Sequence, residues 1–192
     1  MRYLTRNNAF TPMITWVLDG AGLTLESDKG PTRTVPLAAV RAVRLEFAPT
    51  RPEQNRFRCR LELTSGERLE FFNRRYAGVY DFHDTSADYT AFVRALVAAL
   101  PGHSPSCQFL AGTTDGVYVA NLLVAGVLGA GLILAAGWLY LSGFAWLIVV
   151  KLVLLAACAP VLIRWITHNR PHTFPPEAIP SDLLPAPAGR RP

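Results

Sequence analysis

Arg56, Arg58 and Arg60 recur at every second position, alternating with Phe57, Cys59 and Leu61. In an extended strand that spacing puts three guanidinium groups on one face and the apolar side chains on the other. Such a stripe offers planar forks of donors to anionic headgroups, to a carboxylate-rich partner or to phosphates. The alternative is neutralisation within the sheet, by cross-strand pairing with Glu46, Glu62 and Glu70. Residues 1–116 hold fourteen Lys and Arg against twelve Asp and Glu. That surplus of two argues against the basic footprint of a nucleic-acid binder, although the whole chain carries +5.

A second group of candidate binding residues runs from Asn73-Arg74-Arg75-Tyr76 to Asp81-Phe82-His83-Asp84. It reads as a long connection between the last strand of a sheet and a helix. Arg74, Arg75 and Tyr76, with Tyr80 and Phe82, are residue types that protein interfaces favour. The same aromatics could simply cover the end of the sheet.

The residue types that carry catalysis or metal binding are poorly placed. His168 and His172 have a four-residue spacing, but Pro171 between them prevents one helix from presenting both to a metal. His103 and Cys107 fall in a linker with no group to orient them. The three cysteines, Cys59, Cys107 and Cys158, have no metal-type spacing. No phosphate loop, nucleophile elbow or zinc-protease motif is present. The chain is therefore read as non-enzymatic, with no metal and no cofactor.

What positions these groups is a chain of split composition. Residues 117–141 contain no charge, and after Ser142 and Gly143 a second apolar run follows at 144–166. Each is long enough to cross a hydrocarbon core of about 30 Å at about 1.5 Å per residue. A transmembrane helical hairpin is expected. A buried hairpin in a soluble domain is the alternative, disfavoured by two consecutive runs of this length. Lys151 is the one charge inside the second run. It either snorkels toward the interface or lines a membrane path. Gly126, Gly129, Ala130 and Gly137 give the first span a face that another helix can approach closely. Trp138, Tyr140 and Trp146 cluster near the turn, with Trp165 at the other end, as interfacial belts do.

The uncharged turn is easily translocated, whereas Arg164, Arg170 and the arginines of the N-terminal part favour the cytoplasm, so both termini are expected there. The early apolar run from Met13 to Leu18 is too short for a signal-peptide core.

The first seventy residues alternate: Leu23 and Leu25; Val43, Leu45 and Phe47; Phe57, Cys59, Leu61 and Leu63. About six or seven antiparallel strands are expected, separated by Asp19-Gly20, Asp28-Lys29-Gly30, Pro49 to Pro52 and Ser65-Gly66. An amphipathic helix follows, with Thr85 and Ser86 as N-cap residues, Tyr89, Phe92, Val93, Leu96, Val97 and Leu100 on its apolar face, and Pro101-Gly102 as its stop. The order Gly22-Leu23-Thr24-Leu25, then residues Val35 to Val43, then a Ser-Gly hairpin and the helix resembles bacterial PH-like domains carried on membrane proteins. The hairpin and the tail motifs Asn169-Arg170-Pro171 and Ile179 to Pro185 resemble a group of proteobacterial integral membrane proteins to which no defined activity attaches. The resemblance implies an α+β fold, an antiparallel PH-like β-roll or barrel capped by a C-terminal helix. A small barrel or another β-plus-α roll fits the same pattern. The loop taken to join the first two strands, Asp19-Gly20-Ala21-Gly22, has no basic residue, so phosphoinositide recognition of the PH type is not expected.

The organisation that follows is a cytoplasmic PH-like domain at 1–100, a linker at 101–116, a transmembrane hairpin at 117–141 and 144–166, and a Pro-rich cytoplasmic tail at 167–192. The tail is expected to be extended and poorly ordered, with Phe174, Ile179, Leu183 and Leu184 as anchors for docking on its own domain or a partner by edge pairing. The expected location is the bacterial inner membrane, and the expected partners are the bilayer and a membrane protein or a second copy. The leading function is a membrane adaptor or assembly factor. The alternative is a subunit of a small oligomeric channel or transporter with Lys151 in the path.

Overall fold

The computed structural model describes residues 1–20, 22–50, 53–79, 81–141, 163 and 165–185. Tyr80, Arg164 and nearly all of the expected second span, with Ser142-Gly143, Trp146, Lys151 and Cys158, lie outside them. The chain is α+β and forms two units, Met1–Gly112 with His172–Pro192, and Thr113–Pro171.

The first unit opens with a four-stranded antiparallel meander: β1 (Arg2–Thr5), β2 (Ile14–Asp19), β3 (Gly22–Ser27) and β4 (Arg33–Pro36). The apolar run at Met13 to Leu18 thus becomes a strand. β1 was not foreseen, so Asp19-Gly20-Ala21-Gly22 joins β2 to β3. The loop between the first two strands is residues 6–13, and it does hold a basic residue, Arg6.

A second meander follows, β5 (Val40–Phe47), β6 (Phe57–Leu63) and β7 (Arg68–Phe72). Strict alternation fixes its register, because a one-residue slip would turn every core side chain to solvent. Ser65-Gly66 makes the tight turn between β6 and β7, with Gly66 at φ +84°, a conformation costly for any residue with a Cβ.

Residues 73–84, expected as a connection, instead form a hairpin, β8 (Arg74–Gly78) and β9 (Asp81–Asp84). Helix α1 (Ser86–His103) then covers the sheets. All six residues predicted for its apolar face are buried, packed with Tyr3, Trp16 and Phe71 from three different strands. The rings of Tyr3, Phe71, Tyr89 and Phe92 lie 5.5–6.1 Å apart in tilted, edge-on and stacked pairs, the offsets that ring quadrupoles favour. α1 passes through Pro101 rather than stopping there. In the last turn the missing N–H removes only one ladder bond, and Ser104 N–H closes the helix on Leu100 O at 2.7 Å. Thr85 is the N-cap residue, as expected, with Tyr89 N–H donating to its carbonyl at 2.9 Å. Its hydroxyl, however, donates to Asn73 O at 3.0 Å rather than capping the helix, and Ser86, already inside the helix, gives its N–H to Asp84 Oδ1 at 3.0 Å.

The stretch expected as a linker carries β10 (Gln108–Ala111), parallel to β5, and the tail supplies β11 (His172–Thr173), antiparallel to β10. The second sheet is therefore mixed and five-stranded, in the order β11-β10-β5-β6-β7. As far as residue 185 the tail is packed rather than loose. Phe174, Leu183 and Leu184 are buried in the core, and Ile179 lies against it.

In the second unit α2 (Asp115–Leu141) is a helix of 27 residues. Its part from Asp115 to Ala135 is long and apolar enough to cross a membrane, with none of its most apolar window buried. It is the one such helix among the described residues. Thr113 N–H donates to Asn169 O at 3.2 Å, and the Tyr118 and Trp165 rings stack with centroids 6.4 Å apart. The two ends of this unit therefore lie side by side.

Candidate interaction surfaces

The outer face of β5, β6 and β7 carries the arginine stripe. Their register aligns Glu46 with Arg58 and Phe72, and Arg44 with Arg60 and Glu70. Arg58 donates to Glu46 Oε2 through both Nε, at 2.9 Å, and Nη2, and its Nη1 lies 3.4 Å from Glu70. Arg60 reaches Glu46 at 3.5 Å and Glu70 at 3.8 Å. Glu46 is only 3% exposed. Arg56 lies just before β6, over the Phe72 ring at 3.7 Å, with Glu53 at 3.7 Å. Burial lowers the pKa of its guanidinium, and Glu53 partly offsets this. The three arginines are thus engaged by Glu46, Glu53 and Glu70, while Glu62 is 3.9 Å from Arg68. This is the cross-strand neutralisation weighed from sequence, with Glu53 added and Glu62 paired elsewhere.

The ladder has a measurable consequence. Arg58→Glu would set a new carboxylate against the buried Glu46 and against Glu70. Arg58 is partly exposed, which softens the cost, so a loss of about 2–3 kcal/mol is expected, read as a lower urea midpoint of the first unit. An unchanged midpoint would show that the ladder contributes nothing.

The β8–β9 hairpin makes a different surface. Arg74 lies 3.6 Å from Asp84. Tyr76 packs edge-on against Phe82 with centroids 5.7 Å apart, and the Arg6 guanidinium lies 5.7 Å above the Tyr76 ring. Tyr76 N–H donates to Arg6 O at 2.8 Å, joining the hairpin to the β1–β2 loop. Arg75 lies instead in a cleft of about 180 Å³, with Arg2, Thr15, Thr85 and Asp88 around a floor of Tyr3 and Leu4. The Tyr3 hydroxyl donates to Phe72 O and contacts Thr85 Oγ1 at 2.9 Å. Burial raises its pKa strongly, so it stays protonated. Two guanidinium groups, one carboxylate and three hydroxyls suit recognition of a polar, partly anionic group.

Sequence reasoning singled out Arg74, Arg75 and Tyr76 but missed Arg2, Thr15 and Asp88, which only tertiary folding brings to Arg75. It also missed the loop tips. Phe10 is 97% exposed and Val79 83% exposed. The signal for Phe10 was a lone aromatic among turn-forming residues, Asn7-Asn8-Ala9-Phe10-Thr11-Pro12.

Elsewhere the chemistry is muted. Cys59 is fully buried and its thiol pKa is pushed far up; burial pushes that of Cys107 up to about 11. Neither is a thiolate at neutral pH. Among the described residues no three His, Cys, Asp or Glu could hold a metal. On α2, a Cβ at Gly126, Gly129 or Gly137 meets no heavy atom of the described residues within 4 Å, and Ala130 is exposed. Lys151 lies outside the described residues. The chain matches no protein-family model, no curated protein and no solved structure.

Proposed function

We propose that this chain is a non-enzymatic membrane adaptor or assembly factor. A PH-like domain is held at the cytoplasmic face of a bacterial inner membrane by a two-helix hairpin. The PH-like reading is supported by four strands, then three, then, after the β8–β9 hairpin, a helix that covers the sheets. The membrane reading is supported by α2, whose apolar side chains face outward.

The observation that carries the proposal is where the chain leaves the domain and where it returns. It departs from β10 and comes back on β11, its antiparallel neighbour, with Ala111 opposite His172. A 27-residue helix extends about 40 Å, so a chain that crosses a bilayer along α2 must cross again to reach β11. The apolar sequence at 144–166 suits that second crossing. Only Gly112 to Thr114 separate β10 from α2. Such a short connection keeps the domain at the bilayer surface and raises its effective concentration for membrane-bound partners.

The partner-binding site is assigned to the cleft at Arg2, Arg75 and Asp88. The arginine ladder is unsuitable because its members already hold one another. In-cell crosslinking and affinity purification of the full-length protein, compared with an Arg2→Glu, Arg75→Glu variant, tests this. Loss of a stoichiometric partner in the variant supports the adaptor. Only self-crosslinks, kept in the variant, would favour an oligomeric channel or transporter built around the hairpin and Lys151.

A further inference from the structure

We infer that the β8–β9 hairpin tip and the β1–β2 loop form a wedge that enters the bilayer interface, with Val79 and Phe10 as its apolar points. The inference rests on the membrane-anchored reading above and adds a second, lipid-facing contact made by the domain itself.

A single exposed apolar side chain is ordinary on a protein surface. Here two stand at the tips of loops that are joined to each other. Tyr76 N–H donates to Arg6 O, and the Arg6 guanidinium sits over the Tyr76 ring while donating to Ala9 O at 3.1 Å. The β1–β2 loop is also tied within itself. Asn8 Oδ1 accepts from Phe10 N–H and Thr11 N–H, each at 2.9 Å, and Thr11 Oγ1 accepts from Asn7 N–H and Asn8 N–H at 3.2 and 2.9 Å. Those bonds hold the backbone while the Phe10 ring points into solvent. A loop already ordered loses little entropy when its tip is buried.

The occupant is a lipid surface, by continuity of the chain and by composition. Ala111, Leu45, Cys59 and Phe71 form one row across the five-stranded sheet, and β10, β5 and β7 all run the same way through it. The end of the sheet from which β7 leads to the hairpin is therefore the end from which β10 leads to the apolar α2. An aromatic ring, a small aliphatic group and a half-exposed Arg–Tyr pair are the mixture that bilayer interfaces take up, with guanidinium at the phosphates and rings at the acyl boundary. Asp81 and Asp84 stand on β9, and Asp84 is held by Arg74. The contact is thus driven by the apolar tips rather than by net charge.

The test places the photo-crosslinking residue p-benzoylphenylalanine at position 10 or 79 of the full-length protein. Position 127 in α2 and position 65, in the β6–β7 turn at the other end of those strands, serve as controls. Cells are irradiated and the adducts identified by mass. Lipid adducts at 10 and 79 about tenfold above position 65 are expected. Protein adducts at 10 and 79, or lipid adducts no higher than at position 65, overturn the wedge if position 127 still labels lipid. Absence of lipid at position 127 overturns the membrane reading, and the wedge with it.

Discussion

Deleting residues 173–192 from the full-length chain is expected to cost the first unit about 4.5–9 kcal/mol, the burial of three large apolar side chains at roughly 1.5–3 kcal/mol each. That is comparable to the whole stability of a domain, about 5–15 kcal/mol, so extensive loss of protection follows. The physical reason is that this proline-rich stretch completes the core. Phe174 packs on Phe109 with ring centroids 5.9 Å apart, and its N–H donates to Phe109 O at 3.1 Å. Leu183 is fully buried and Leu184 nearly so. Hydrogen exchange of the full-length and shortened proteins in the same detergent should show protection lost first in β10 and β5, then through the sheet. Leu183→Ala, which keeps the tail in place, should cost about 2–5 kcal/mol. Unchanged exchange in the deletion would mean that the docked tail adds nothing.

The tail also marks where sequence reading stops. Its anchors Phe174, Ile179, Leu183 and Leu184 were visible as apolar residues among prolines, but their partner β10 was not. Gln108-Phe109-Leu110-Ala111 is too short to show a period. It becomes a strand because β5 offers a parallel edge sixty-odd residues earlier and β11 an antiparallel one sixty-odd residues later. Local patterns carry α1 and the β5–β6 pair well, since both periods repeat over seven or more residues, and the Ser65-Gly66 turn after β6 then places β7. They fail for β1 and for the β8–β9 hairpin, whose strands are four or five residues long and stabilised by contacts distant in sequence. The arginine stripe shows the same division. Its shared face followed from spacing alone, but which carboxylates would hold it depended on register, and register brought Glu46 and Glu70 within reach while sending Glu62 to Arg68. Arg75 was legible by type, whereas the cleft around it required β1, β2, β8 and α1 to be in place.

Asn73→Ala should destabilise the first unit by about 3–5 kcal/mol, because several buried groups lose a partner at about 1–3 kcal/mol each. Asn73 is completely buried at the bend between β7 and the hairpin. Its Oδ1 accepts from Phe57 N–H at 2.7 Å, and its Nδ2 donates to Asn55 O at 3.1 Å and Ser86 Oγ at 2.9 Å. Its backbone joins the same network, donating to Phe57 O at 3.2 Å and accepting from Thr85 N–H at 3.1 Å. One side chain thus ties together the start of β6, the loop before it and the start of α1. From the same point the hairpin bearing Arg75 and Val79 extends, so the network that stabilises the fold also places both proposed contact surfaces. Asn73→Asp separates geometry from hydrogen bonding. The carboxylate keeps an acceptor for Phe57 N–H, loses the two donors and buries a charge near Asp84. Its pKa is therefore expected to be higher in the folded state than in the unfolded state. The sign follows: the protonated form is favoured on folding, so the variant should be least impaired below the unfolded carboxylate pKa and lose stability as pH rises through the folded one. Urea unfolding of the Ala and Asp variants at pH 4 and pH 8 checks both. A cost for Asp that is the same at both values would mean that the site is wetter than its burial indicates.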